Sequence, residues 1–261
     1  MASEPTTLTA VVPLPFTMSE DEEHNWLRML FYGPPGAGKT WLAASAMDVS
    51  EMGPVLFVNF DRGTKSIRRQ KGITVVTIPS TKDADGWEEF KILTNWLLTQ
   101  EHPFRTVILD SMDGLHNLIQ RQIIVQDAIK KPDRDMDLAT QNDWYKGMNR
   151  LTNVLELYKK YQKFHFIATC ASKLLVDEVT TLRTYIFALP ASLGETISGM
   201  FDLVAFMRAE TNGETITRMF QTAETKAVPA AKDRDILNKP LMENVTMSIL
   251  WARKKEVDLG V

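Results

Sequence analysis

Gly33-Pro34-Pro35-Gly36-Ala37-Gly38-Lys39-Thr40 is the stretch that decides how this chain is read. It matches G-x-x-x-x-G-K-[ST] in full. Gly33, Gly36 and Gly38 allow backbone conformations closed to other residues and leave space for phosphate oxygens. Successive backbone N–H groups then converge on an anion, with the positive end of a following helix behind them. Lys39 reaches the β- and γ-phosphates, and the Thr40 hydroxyl is offered to Mg2+. With Trp41, the eight residues make up the expected nucleotide-contacting set: Gly33, Pro34, Pro35, Gly36, Ala37, Gly38, Lys39, Thr40 and Trp41. The flanks agree with the motif. Residues 26–32 form a short apolar run that reads as a buried strand, and residues 39–48, rich in Ala, Leu and Met, read as the helix that should follow.

Working outward, residues 54–60 and 73–78 read as strands and 84–99 as an amphipathic helix carrying Trp87, Phe90, Leu93, Trp96 and Leu97 on one face. Residues 106–109 are a strand ending at Asp110. Helices are expected over 114–128 and 143–161, separated by the polar segment 130–142, and 164–169 is another strand. Residues 173–199 lack one clear period and read as a long loop or hairpin. Late strands are expected at 202–208, 215–221 and 246–252. Strands alternating with helices predict an α/β fold with a mainly parallel sheet covered on both faces. The late strands, without intervening helices, predict antiparallel additions at one edge.

Two acids complete the chemistry. A bound nucleotide needs a carboxylate to hold the water shell of its metal, and Asp110 ends a buried strand where open α/β sheets bind ligands. The alternative for Asp110 is a helix N-cap. Hydrolysis also needs a group that orients or deprotonates water. Asp61, at the end of the second strand, is the candidate, and would face the γ-phosphate if that strand neighbours the glycine-loop strand; Asn59 has the same parity and competes with it, and a plain turn before Gly63 is the other alternative.

These residues, in this order, resemble the RecA-like branch of P-loop ATPases, and most closely small phage-type RecA-core ATPases associated with single-strand annealing and recombination. The resemblance spans residues 28 to about 250 and rests on Gly33 to Thr40, Asp61, Asp110-Ser111 and Lys232-Asp233-Arg234. It implies a RecA-like core over 26–252, an arm over 1–25, extended or disordered, and a tail over 253–261. It implies an ATPase using ATP and Mg2+, with Lys39, Asp61, Asp110, Lys232 and Arg234 as catalytic residues and Thr40 and Asp110 at the metal. Asp61 stands where relatives usually carry Glu, one methylene longer. The polar sensor after the fifth strand, often Gln or His, corresponds to Thr169, with Ser172 or Lys173 as substitutes. Lys232 and Arg234 resemble paired cations that ring and filament ATPases insert into a neighbour's site, which implies a homo-oligomer, ring or filament; the alternative is an exposed charged turn.

The resemblance also implies single-stranded DNA as partner, held by two loops at 127–142 and 171–199. Their cations Lys130, Lys131, Arg134, Lys173 and Arg183 would track phosphates, and Tyr185 or Phe187 would stack on a base. Arg68, Arg69 and Lys71 form a further basic cluster, and Val11 to Phe16 could add to a neighbour as an edge strand. A single-strand-binding or annealing protein is a further expected partner. Rival readings are a motor or loader ATPase acting on protein, a small-molecule kinase, and an assembly protein with little hydrolysis.

Composition bounds these readings. Thirty Lys and Arg against 33 Asp and Glu give a net charge of −3, which excludes a histone-like binder but not a local basic groove. One cysteine, Cys170, excludes an internal disulfide and a multi-cysteine zinc site. No apolar run approaches the ~18 residues of a membrane span, so no membrane partner is expected and the cytoplasm, bacterial or that of a phage-infected host, is the expected location.

Overall fold

A computed structural model describes residues 26–61, 63, 67, 70–81, 85–161 and 163–260. The arm, Arg68 and Arg69 lie outside the described residues. In chain order the elements are β1 (Arg28–Gly33), α1 (Lys39–Ala44), β2 (Val55–Asn59), β3 (Ile73–Thr77), α2 (Gly86–Thr99), β4 (Thr106–Asp110), α3 (Met112–Lys130), α4 (Gln141–Lys160), β5 (His165–Val176), β6 (Arg183–Phe187), α5 (Gly194–Met200), β7 (Leu203–Asn212), β8 (Thr215–Gln221), β9 (Lys232–Asp233), β10 (Leu241–Glu243) and α6 (Met247–Asp258).

The sheet runs β10-β8-β7-β1-β5-β4-β2-β3, so β5 and β4 stand between β1 and β2, and the second strand is not the neighbour of the glycine-loop strand that the placement of Asp61 supposed. From β7 to β3 every pairing is parallel. The antiparallel pairs are those of β8 and β9 with β7, β10 with β8, and β6 with β5. This is the α/β RecA-like P-loop fold; β8, β9 and β10 are antiparallel additions at one edge, whereas β7, the expected late strand 202–208, joins the parallel set beside β1.

The central strands are buried on both faces, so they read as unbroken apolar runs, yet parity still sorts them. Leu30, Tyr32, Leu56, Val58, Leu109 and Ala168 face α2, α3 and α4, meeting Phe90, Ile119 and Leu155. Met29, Phe31, Phe57, Ile108, Ile167 and Ala205 face the other way, toward Leu42 and Ala43 of α1 and Met247 and Leu250 of α6. Each such side chain contributes about 1.5–3 kcal/mol on burial, so both layers are strongly specified.

The starts of α2, α3, α4 and α6 follow side-chain caps. Asp85 accepts from the N–H groups of Trp87 and Glu88 to begin α2. Thr140 and Asp143 form a reciprocal capping box that begins α4 and ends the polar segment before it. Within residues 173–199 the hairpin reading holds as far as Phe187: β5 continues past the sheet to Val176 and returns as β6, projecting at the end of the sheet where β1 meets the glycine loop, whereas 194–199 are helical, in α5.

Residues 246–252 are not a late strand but the start of α6. Thr246 caps it by accepting from the Ile249 N–H, and the Met247 N–H donates to Ser45 Oγ. Met247, Leu250 and Lys254 fall on one buried stripe at helical spacing, and the helix runs on through 252 into the expected tail. Among the described residues no helix is long and apolar enough to cross a membrane.

Candidate nucleotide-binding site

The glycine loop leaves β1 at Gly33 and enters α1 at Lys39. Gly33 is required by close approach: a β-carbon there would lie 2.0 Å from the Met207 carbonyl oxygen of β7. Gly38 is required by conformation, since it holds the helix N-cap position at φ 95°. No side chain caps α1, so its first-turn N–H groups are left for an anion rather than satisfied locally. The loop opens into a cleft of about 530 Å³ lined by Gly36, Gly38, Lys39, Thr40, Trp41 and Arg218.

Lys39 folds over the loop, donating to the Gly33 carbonyl at 2.8 Å and the Pro34 carbonyl at 3.0 Å. Burial lowers its pKa, opposed by the nearby Asp110 and Asp113 carboxylates. The Thr40 hydroxyl sits 3.2 Å from both oxygens of Asp110, and the Thr169 hydroxyl donates to Asp110 from β5. Two strands and a helix thus converge on one buried carboxylate. Burial raises the Asp110 pKa, against the hydrogen bonds from Thr169 and Thr40 that favour its charged form.

Asp110 is not the helix cap. Ser111 is: it accepts from the Gly114 N–H and begins α3, so Asp110 remains turned to Thr40. Ser111 also donates to Asp61 Oδ2 at 2.7 Å, which ties the acid after β2 to the acid at the end of β4. Burial raises the Asp61 pKa, the Ser111 bond lowers it and the Asp113 charge raises it. Asp113 accepts from the Ala171 N–H at 2.8 Å and so fixes α3 to β5. Asn59, the competitor, is buried in register with Asp110; its amide faces Thr77 at 3.5 Å and its Oδ1 has no partner among the described residues. An amide cannot take a proton from water, whereas the Asp61 carboxylate can.

The donor set fits Mg2+ carried by a nucleotide. Among the described residues no cluster of three or more His, Cys, Asp or Glu could hold a metal alone. Thr40 and Asp110 supply one hydroxyl and one carboxylate, so phosphate oxygens and water would complete an octahedral shell, as Mg2+ usually requires. Bound there, the metal would neutralise phosphate charge.

The remaining expected residues lie elsewhere. Of the three sensor candidates, Thr169 meets Asp110, whereas Lys173 donates to the Leu189 carbonyl and Ser172 pairs with Phe187. Lys232 and Arg234 flank Asp233 beside the start of β7, at the end of the sheet opposite the glycine loop. Lys232 donates to the Ser198 carbonyl and Arg234 to the Gly199 carbonyl, with Asp202 3.7 Å from the Arg234 guanidinium. They are not part of this chain's own nucleotide site. Lys130, Lys131, Lys71 and Arg183 are exposed. Arg134 is engaged internally, 2.5 Å from Asp143 with its side chain only 10% exposed. The expected stacking aromatics are also engaged: Phe187 is buried against Tyr32, and Tyr185 packs on Phe206. The projecting hairpin instead exposes Leu174, Leu175, Val176, Val179 and Leu182.

Ser111 as the link between the acids, Asp113 and Arg218 were not assigned roles from sequence. Ser111 and Asp113 stood beside Asp110, so adjacency could have marked them. Arg218 had no local signal. It reaches the loop because β8 pairs with β7 and β7 passes Gly33.

Fold and site together define a P-loop domain of the RecA-like α/β fold. Residues 25–234, about four-fifths of the chain, match the family model described as an AAA domain, and the chain belongs to that family. It is also similar to three solved structures. These are the flagellar accessory protein FlaH from Methanocaldococcus jannaschii (12% identity, 83% of this chain and 84% of that one, TM-score 0.41), the KaiC-like protein PH0186 from the hyperthermophilic archaeon Pyrococcus horikoshii OT3 (13%, 75% and 77%, TM-score 0.40) and the RadB recombinase (12%, 77% and 82%, TM-score 0.43). A search of curated proteins returns no match.

Proposed function

We propose that this chain binds ATP with Mg2+ and hydrolyses it, as an oligomer acting on single-stranded DNA in recombination, annealing or repair, in the manner of phage-type RecA-core ATPases. The observation that carries the ATPase reading is the convergence of Thr40, Thr169 and Asp110 beneath the glycine loop, with Asp61 linked to it through Ser111. In this reading Lys39 and the loop amides bind the phosphates, Thr40 and Asp110 hold the metal and its water, and Asp61 orients the attacking water.

Lys232 and Arg234 act in a neighbouring subunit's site. Their position far from this chain's own loop supports that reading, since a cis role is out of reach. Such a cation stabilises transition-state charge and ties hydrolysis to assembly. DNA tracks the exposed cations Lys130, Lys131 and Arg183 once subunits bring them together, as the net charge of −3 requires.

Mixing tests the oligomeric part. An Asp61→Asn chain and a Lys232→Ala/Arg234→Ala chain, each inactive alone, should regain part of the ATPase rate together, because mixed interfaces join an intact site to intact cations. No recovery on mixing removes the trans role. Binding of labelled single-stranded DNA over a salt series tests the partner: affinity that falls steeply with salt and needs ATP supports DNA, and absence of binding favours a protein-directed motor.

A further inference from the structure

Beyond the glycine loop, the described walls of the cleft are two side chains, Trp41 and Arg218. Trp41 follows Thr40 in the first turn of α1 and is 43% exposed. Arg218 comes from β8. It shares parity with Phe220, which is buried against Phe31 on the α1 side of the sheet, so the strand directs Arg218 to that side one step nearer the loop. The side chain lies against Gly38: a β-carbon placed there would be 3.0 Å from its Cδ and Nε.

Arg218 is anchored at its backbone, not at its head. Its N–H donates to Asn244 Oδ1 at 2.9 Å, and its carbonyl accepts from the Asn244 N–H at 2.8 Å. Its guanidinium has no acidic partner among the described residues, whereas Arg28, Arg134, Arg208, Arg234 and Arg253 are each ion-paired. A planar cation and an indole thus border one cleft. Phosphates held by the loop leave the rest of the nucleotide to run outward between those walls.

We propose that Arg218 and Trp41 hold the nucleotide's base, the guanidinium and the indole packing on it from the two sides of the cleft. The proposal rests on the reading of this cleft as the nucleotide site. A guanidinium stacks on an aromatic face through its plane as well as its charge, which a lysine ammonium does not reproduce. Arg218 is thereby a base-binding residue supplied by the same chain, distinct from cations donated by a neighbour.

Equilibrium binding of ATP and of inorganic tripolyphosphate, both with Mg2+, tests this in the full chain and in Arg218→Lys, Arg218→Ala and Trp41→Ala. Arg218→Lys and Trp41→Ala should each weaken ATP about five- to tenfold and leave tripolyphosphate within about twofold. If Arg218→Lys binds ATP like the parent while Arg218→Ala loses both ligands equally, Arg218 serves phosphate and the base clamp is wrong. If neither Arg218 variant changes ATP binding, Arg218 is no ligand at all. A parent chain that binds neither ligand overturns the nucleotide site itself, which is a separate failure. Unfolding without ligand, unchanged for Arg218→Lys, shows that the fold is intact.

Discussion

Thr169→Val removes one hydroxyl and keeps the shape of the side chain. Thr169 is fully buried on β5, and its hydroxyl donates to Asp110, whose other hydroxyl neighbour is Thr40. A hydrogen bond to a charged group is worth about 1.5–3 kcal/mol, so the substitution should cost about that much at neutral pH, or about 4–8 °C in unfolding midpoint if the loss is near 2 kcal/mol. The pH dependence gives the reasoning its edge. Burial already raises the Asp110 pKa above 3.8, and loss of the Thr169 bond raises it further. A carboxylate whose folded pKa is raised keeps its proton over a window in which the unfolded chain has released it. Stability therefore falls as pH rises through that window. The difference between parent and Thr169→Val should be small where Asp110 is protonated in both chains and grow as pH rises through the raised pKa. Urea unfolding across this range, without nucleotide, measures it. Thr169→Ser should restore most of the loss. A Thr169→Val chain as stable as the parent at pH 7, or one whose deficit is the same at every pH, refutes the claim that Thr169 supports an ionised Asp110.

Other consequences follow from the same contacts. Lys39→Ala should weaken ATP about 30- to 100-fold, by loss of a charged hydrogen bond, while the ligand-free unfolding midpoint moves by no more than about 2 °C, because Lys39 spans only the carbonyls of its own loop. His165, buried between Trp26 and Trp251, accepts the Leu27 N–H through Nδ1, and burial with Arg105 and Lys254 nearby lowers its pKa from 6.5 to about 4. Below pH 6.5 the unfolded chain takes up that proton first, so up to about 3 kcal/mol of stability should be lost as pH falls toward 4; His165→Asn should flatten the pH profile by one proton, and an unchanged profile would remove His165 from the account. Thr246→Ala should cost about 1 kcal/mol, or about 2–4 °C, if α6 is capped as described, whereas a strand at this position would show no such loss.

Much of this was legible because it is local. Glycine spacing, apolar strands and an acid at a strand end identified the mainly parallel sheet and the pair Thr40–Asp110 without reference to distant contacts. What was missed depends on partners far along the chain. Residues 246–252 alternate well enough to resemble a strand, and only the Thr246 cap and the buried Ser45 contact select a helix. Arg134 looked free because Asp143, nine residues on, doubles as part of a capping box. Tyr185 and Phe187 looked available for stacking because nothing local says that β6 turns them onto Tyr32 and Phe206. Arg218 lies 180 positions from Gly38 and reaches it only through the pairing of β8 with β7.

The account turns on Asp61 as the group that prepares water at a site built by Lys39, Thr40 and Asp110. ATP turnover by Asp61→Asn, measured beside ATP affinity in the same preparation, tests it most directly. The account predicts hydrolysis about 10²- to 10⁴-fold slower with ATP affinity changed less than about threefold, since the amide keeps the Ser111 contact and loses the base. Turnover equal to that of the parent chain would contradict it and leave the water to another residue.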